Sequence, residues 1–325
     1  MAIQKEIWVN DIQEGFFPDN SFAAKSVNDD AYVEAGKKVH VPNAGGPSNV
    51  VKNRSGRGTV AKRTDVDVDY NLDEFTTDPV LIPNADTVEL SYDKRNSVIS
   101  QDKQQLMNVA HESLLVNWAP AASKCVRTTG SAVAPHLAGQ EGNRLAVTKS
   151  DIRALMTRFD AENIPQTGRY LLLDAEMYGQ LLASMTETDQ IGFLAAADVK
   201  RGVVGSLYGF EVMKRSTVLR YAVNENGAIT GLAATDGATD VAAALAWHEG
   251  SVRRALGEVK MFGDVDNPEY YGDIYSFLVR CGGKIGRYDK KGVWALCQGV
   301  PAAVEAPAET TAETTENPGE NGNPE

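Results

Sequence analysis

From Asn96 to Trp118 the chain reads NSVISQDKQQLMNVAHESLLVNW, without Pro or Gly, and Pro120 stands just past its end. Ile99, Leu106, Val109, Ala110 and Leu114 recur near one face at helical spacing, and Met107, Leu115, Val116 and Trp118 widen that stripe toward the C-terminal end. With Asn96 and Ser97 as capping candidates, the pattern predicts one helix over 96–119, roughly 33 Å long. The polar run Gln101 to Gln105 leaves its first half more exposed. Such a helix suits a spine packed along one side with a neighbour on the other, although an ordinary core helix of an enzyme domain would read the same.

Alternation marks strands at Val39-His40-Val41 and Val66-Asp67-Val68-Asp69-Tyr70, with PNAGGPSNVVKNRSGRG between them, dense in turn formers. The simplest structure is a long two-stranded excursion with a flexible tip. Val80-Leu81-Ile82 and Val88-Glu89-Leu90 are short strand candidates before the helix, and a turn-rich connection through Gly130, Pro135, Gly139 and Gly142 follows it. Ser150 can cap a helix through Ile152, Leu155, Met156 and Phe159. Arg169–Asp174 reads as a buried strand and Ala175–Ser184 as a helix with Met177, Leu181 and Leu182 inward. Gly202–Val212 gives a glycine-punctuated turn and a strand. Stretches 185–199 and 222–240 are expected to be loops. Val241–Leu256 is a helix candidate broken at Gly250, Lys260–Phe262 follows, Ile274–Val279 is the most strand-like run, and Val293–Leu296 completes a sheet. Strand signals on both sides of the 150–240 block suggest an α+β chain in which one domain is inserted into another.

The chain has 325 residues, enough for a substantial core, with 42% hydrophobic and 23% charged residues. No stretch approaches a membrane span and MAIQKEIWVNDIQEG has no signal-peptide apolar run, so neither is expected. Cys125, Cys281 and Cys297 fit reduced, packed thiols in a cytoplasmic setting. The net charge of -12 argues against holding nucleic acid by broad phosphate neutralisation. Half of it lies in six glutamates of the tail 300–325, which has almost no large apolar residue and is expected to be disordered. Residues 1–34, with Trp8, Phe16, Phe17 and Phe22 among polar neighbours, look like an arm that docks on a surface, or equally like an ordinary first element of the same domain.

Charge is strongly segregated across the excursion. Between Ala35 and Thr64 there is no acid, while Lys37, Lys38, Lys52, Arg54, Arg57, Lys62 and Arg63 are basic; from Asp65 to Asp78 there are six acids and no base. A lone hairpin is not stable in water, so this one needs a surface, and a basic tip meeting an acidic patch on another copy would give orientation and specificity. A phosphate-binding loop is the competing reading, but the P-loop spacing is missing and no helix pattern follows. A solvated loop without a partner is the third.

Catalytic signals are weak. His40, His111, His136 and His248 are scattered with no metal-ligand spacing, and no G-x-S-x-G elbow occurs. Asp65, Asp67 and Asp69 share one side of a strand and could bind Ca²⁺, but a solvated or Arg-facing acidic edge explains them as well. No cofactor or metal is expected.

Three short patterns resemble the major capsid proteins of tailed bacteriophages. They are Ala244-Leu245-Ala246-Trp247-His248-Glu249, then Tyr270-Tyr271-Gly272-Asp273-Ile274-Tyr275 with Gly282-Gly283 and Arg287, and the strand opening Gly205-Ser206-Leu207-Tyr208-Gly209-Phe210-Glu211-Val212. The order of elements is similar too. The resemblance implies an N-terminal arm over 1–34, an extended loop over 35–80, and a peripheral domain whose first part, 81–149, holds the spine helix. It further implies an inserted axial domain over 150–240 and a second peripheral part over 241–299, leaving 300–325 without a counterpart.

What the resemblance implies is assembly rather than a reaction: hexamers and pentamers closing an icosahedral shell in the host cytoplasm around double-stranded DNA, with a portal and, since no helical scaffolding segment precedes the arm, a separate scaffolding protein. Subunit-interface candidates are Lys52, Arg54, Arg57, Lys62, Arg63, Asp65, Asp67, Asp69, Trp247, His248, Tyr271 and Asp273. Some members of the family weld subunits through a lysine–asparagine isopeptide bond. Lys52 or Lys62 and Asn267 near Glu269 have the right types, which are common in any loop. An encapsulin-like nanocompartment shell and a cytoplasmic α+β enzyme are the alternatives.

Overall fold

The computed structural model describes residues 22–34, 37–46, 49–60, 62–83, 94–198, 201–224, 226–234 and 236–301. Trp8, Phe16 and Phe17, the strand candidate Val88–Leu90 and nearly all of the acidic tail lie outside them.

In chain order the first strands are β1 (Val27–Asn28), β2 (Val33–Glu34), β3 (Lys38–Asn43), β4 (Val66–Asn71), β5 (Asp73–Thr76) and β6 (Val80–Pro83), followed by helix α1 (Lys94–Trp118). Then come β7 (Cys125–Arg127), β8 (Ala132–Val133), β9 (Arg144–Leu145), α2 (Lys149–Ala161), β10 (Arg169–Asp174), α3 (Ala175–Ala183) and α4 (Glu187–Leu194). The chain continues through β11 (Val203–Leu207), β12 (Phe210–Arg215), β13 (Leu219–Val223), β14 (Ile229–Leu232), β15 (Val241–His248), β16 (Val252–Asn267), β17 (Gly272–Ile285) and β18 (Val293–Cys297).

Helix α1 forms where the periodicity predicts it and stops before Pro120, but it starts at Lys94, so Asn96 and Ser97 lie inside it rather than at its cap. Its buried stripe changes partner along its length. Ile99, Leu106 and Ala110 pack on Met261, Tyr275, Phe277 and Val279 of the long β16–β17 hairpin. Leu114, Leu115 and Trp118 join a second cluster with Tyr170, Leu245 and Trp247. Val109 and Val116, expected on the buried side, are exposed.

The β16–β17 hairpin is the middle of a five-stranded sheet, flanked by β1 on one edge and by β5 and β6 end to end on the other. Gly282 and Gly283 sit where neighbouring backbone and α1 come close to this sheet. A Cβ on Gly282 would lie 2.7 Å from the Asn71 carbonyl oxygen, and one on Gly283 would lie 2.7 Å from both the Arg253 carbonyl oxygen and Leu114 and 2.9 Å from Trp118 Nε1. Trp118 Nε1 donates to that same Arg253 carbonyl at 2.9 Å. Gly283→Ala is therefore expected to push α1 off the sheet and destabilise the fold by about 2 kcal/mol, read as a lower denaturation midpoint.

The second sheet has eight strands, in the order β11-β12-β10-β15-β13-β14, with β18 and then β7 added along β15's other side. Here the sequence reading is corrected: 241–256 is not a helix but strand β15, a short turn at Glu249–Ser251, and the start of β16. Alanine-rich sequence favours a helix intrinsically, yet this strand is covered on both faces, so no polar alternation survives in it. Its residues still alternate in size. Val241, Ala243, Leu245 and Trp247 face the cluster containing Phe22 and Trp118, while Ala242, Ala244 and Ala246 face α2 and α3.

Two further corrections concern 185–199 and 222–240, expected as loops, which contain α4 and strand β14 with the end of β13. Short helices and edge strands carry too few periods to stand out. The N-cap of α2 is Thr148, whose amide donates to Asp151 at 2.8 Å, rather than Ser150. Strand β18 forms as expected but joins the eight-stranded sheet, as does β15, so both ends of the closing segment share a sheet with the 150–240 block. No helix among the described residues is long and apolar enough to cross a membrane.

Candidate subunit interface

The excursion is a hairpin as its alternation suggested. Strands β3 and β4 pair antiparallel from Lys38↔Asn71 to Asn43↔Val66, and β2 adds a third strand at the base. Val39, Val41, Tyr70 and Leu72 turn inward onto Ala255 of β16. The root is tied at several further points. Asp29, buried, accepts from the Tyr70 hydroxyl at 3.0 Å and pairs with Arg253 at 2.6 Å. Asn43 Nδ2 donates to the Gly286 carbonyl at 2.9 Å, and Lys284 Nζ to the Asp69 carbonyl at 2.8 Å. Burial beside the Asp29 carboxylate pushes the Tyr70 hydroxyl pKa up.

Beyond this root the tip carries its polar and apolar groups into solvent. Val50 and Val60 are 92% and 98% exposed. No ion pair joins Lys52, Arg54, Arg57 or Lys62 to any described residue. The acidic side is partly satisfied within the chain: Arg63 pairs with Asp65 at 2.7 Å, and the Gly45 amide donates to the same carboxylate at 2.8 Å. Both lower the Asp65 pKa, the Arg63 bond most. Asp69, directly opposite His40, takes Lys38 at 2.9 Å and His40 at 2.7 Å, and its pKa is lowered chiefly by Lys38. Asp67 is exposed opposite Pro42.

The remaining interface candidates divide. Trp247 is fully buried within its own chain, its indole N–H donating to the Lys25 carbonyl at 2.8 Å, so it is a core residue and cannot touch another subunit. His248 Nδ1 accepts from the Gly250 amide at 3.1 Å, and burial lowers the imidazole pKa. Tyr271 is 78% exposed, in the left-handed region at φ 50°, at the far end of the β16–β17 hairpin. Asp273 accepts from the Asp266 amide at 3.0 Å and the Tyr275 hydroxyl at 3.1 Å. Asn267 holds its own turn, donating to Asp264 and accepting from the Glu269 amide.

Two features escaped the sequence reading. Phe262, Val265 and Tyr270 are exposed with Tyr271 at that same hairpin end, a patch visible only once the pairing register is known. A groove of about 540 Å³ also runs between β5, the turn before β6 and the outer side of α1, lined by Glu74, Asp78, Val80, Asp102 and Val109 among others. Its acids come from segments far apart in sequence, so no local motif announces it.

Where Phe22 meets α1, His111 stacks edge-on against its ring at 5.4 Å. Burial, then the charges of Arg215 and Arg254, lower the His111 pKa to about 4. Between pH 6.5 and about 4 the unfolded chain therefore binds a proton that the folded chain refuses. Stability should be full above pH 6.5 and fall as pH drops through that window, by roughly 3 kcal/mol from this group. Denaturation midpoints measured from pH 7 to 4 should show this slope, and His111→Gln should flatten it.

No protein-family model matches the sequence, and no curated protein matches it. Solved structures match over most of its length. It is similar to the capsid of Ralstonia phage GP4, with TM-score 0.60 and 12% identity over 90% of this chain and 92% of that one. It is also similar to the capsid of cyanophage P-SCSP1u, with TM-score 0.56 and 18% identity over 84% and 86%. The capsid asymmetric unit of cyanophage Pam1 gives 0.56 and 11% over 86% and 90%. At such identities the shared property is the path of the backbone, and that path is the tailed-phage capsid fold.

Proposed function

We propose that this chain, having the tailed-phage capsid fold, is a major capsid subunit whose copies close an icosahedral shell. The observation that carries the reading is the likeness to phage capsids along nearly the whole chain, 90% of it in the Ralstonia phage case. A hairpin rooted on Ala255, with its tip residues Val50 and Val60 exposed among the described residues, supports it independently. The role is structural, and the shell is where the subunit resides.

In this reading 1–34 is the arm, 35–80 the extended loop, 81–149 and 241–299 the peripheral domain, and 150–240 the axial domain around which hexamers and pentamers form. The acidic tail, 300–325, stands outside these assignments. Lys52, Arg54, Arg57 and Lys62 supply attraction to neighbouring copies, with Arg63, Asp65, Asp67 and Asp69 shaping the loop's charge. His248, Tyr271 and Asp273 lie at further contacts. Packaged double-stranded DNA is held by confinement, which a net charge of -12 permits, since no basic lining is required. A separate scaffolding protein and a portal complete the assembly in the host cytoplasm.

Negative-stain electron microscopy of the full chain, expressed alone and with its neighbouring genes, tests the proposal. Closed shells or hexamer tubes are the expected result; a uniformly small oligomer under both conditions would overturn it.

A further inference from the structure

Two of the three cysteines meet across the β7–β18 pair of the eight-stranded sheet. In that parallel pairing Cys125 lies opposite Ala295 and Cys297 opposite Arg127, so the two cysteines stand diagonally, two positions apart. Alternate residues of a strand share a face. Here that face is the cluster holding Tyr221 and Trp247, in which Cys297 is buried and against which Cys125 packs. The two thiols hydrogen-bond each other. The Tyr221 hydroxyl, which donates to the Pro120 carbonyl at 2.7 Å, also reaches the Cys125 sulfur.

The two sulfurs are not equivalent. Cys125 is half-buried, and its hydrogen bond with Cys297, helped by the Tyr221 hydroxyl and the charge of Arg127, lowers its pKa against the cost of burial. Cys297 is fully buried, and the same hydrogen bond, together with burial, raises its pKa. Oxidants react with thiolates, so Cys125 is the sulfur that reacts first and Cys297 the protonated thiol behind it. Cys281 lies in the other sheet, where burial and then the charge of Asp73 push its thiol up to about 12.

We propose that Cys125 and Cys297 are a peroxide-sensitive thiol pair that closes to a disulfide. The Cys125 thiolate attacks hydrogen peroxide and breaks its O–O bond, giving a sulfenic acid and a hydroxide that takes up the proton Cys125 released. The Cys297 sulfur then attacks the sulfenic sulfur, the S–O bond breaks, and the Cys297 proton leaves with the oxygen as a second water. Two thiols have lost two electrons and one peroxide has become two waters.

Strands about 4.8 Å apart and an offset of two residues put the Cα atoms about 8 Å apart, whereas disulfides usually span up to about 6.8 Å, so closure draws β7 inward by about 1 Å. Strand β7 can yield, being three residues long and paired among the described strands with β18 alone. The bond joins residues far apart in sequence and holds the last strand in the sheet. A reducing cytoplasm keeps the pair open and an oxidising exterior closes it. The proposal concerns a single chain and stands whether or not copies form a shell.

In the test, the full-length chain is purified under reductant, exchanged into a small excess of hydrogen peroxide, capped with iodoacetamide, digested with trypsin without reduction and read by mass spectrometry. The expected product joins peptide 125–127 to peptide 292–325, leaves Cys281 capped, and disappears with dithiothreitol. Dimedone, which traps sulfenic acids, should label Cys125 in Cys297→Ala, whereas Cys297 in Cys125→Ala should react roughly tenfold more slowly. The oxidised wild-type chain should melt several degrees above the reduced one. A wild-type chain whose Cys125 stops at the sulfenic or sulfinic acid, or links to Cys281 or to a second copy instead of to Cys297, would overturn the pair. A Cys125–Cys297 link that lowers the melting temperature would overturn its hold on the last strand.

Discussion

Arg54→Glu with Arg57→Glu is expected to abolish closed particles while leaving the far-UV circular dichroism of the monomer unchanged. Neither side chain forms an ion pair with any described residue, and the tip lies beyond the last hairpin pair, Asn43↔Val66, so the fold is expected to lose nothing. Between copies the effect is large. Turning two attractions into repulsions at exposed sites amounts to about 2 kcal/mol per contact, or roughly thirtyfold in each association step. A closed shell repeats that contact in every subunit, so modest losses compound into failure. Sedimentation velocity should show the material moving from the particle boundary to the slow one. High salt should weaken the wild type in the same direction, because exposed charges are screened. Normal particles from the double variant would take the loop out of the interface.

Trp247→Ala is expected to act in the opposite way, unfolding the subunit rather than disarming it. The indole lies 6.4 Å from the Phe22 ring, 6.0 Å from Trp118 and 5.8 Å from Tyr170. One side chain thus joins the segment at Phe22, the end of α1 and the eight-stranded sheet. Truncation removes that packing and strands the Lys25 carbonyl, at a cost of about 4 kcal/mol. Trp247→Phe keeps a ring but loses the hydrogen bond, and about half of that loss is expected. Urea denaturation gives both numbers, and limited proteolysis near Lys25 reports whether the Phe22–Lys25 segment has come loose. An alanine variant as stable as wild type would show that the neighbouring rings close the gap by themselves.

These two sites also show how much could be read beforehand. The hairpin and its basic tip were legible because period-two alternation, turn formers and a charge block all coincide in one stretch. Helix α1 was legible because its 3.6-residue stripe runs for several turns and ends at Pro120. The stretch VAAALAWH misled because a strand covered on both faces has no polar positions to alternate, and its alanines favour a helix when judged alone. Trp247 was named a subunit-interface candidate from its motif, and a motif gives a neighbourhood in sequence, not a direction in space. Asp29 carried no signal at all, since its partner Arg253 is 224 positions away. Asp102 stood in a polar run that reads as a solvated helix face until β5 is laid beside it.

The parallel pairing of β7 with β18 governs the order in which the subunit can be completed. Thr128 and Gly299, hydrogen-bonded just past that pair, are 171 residues apart. Closing so long a loop gains nothing until both ends are home, so this step belongs late in folding. Until β18 arrives, β15 presents an open hydrogen-bonding edge along its whole length, inviting the wrong strand. A chain stopped before Val293 would be a sticky intermediate rather than a smaller subunit, and the rate at which new subunits become competent would be set by their last strand.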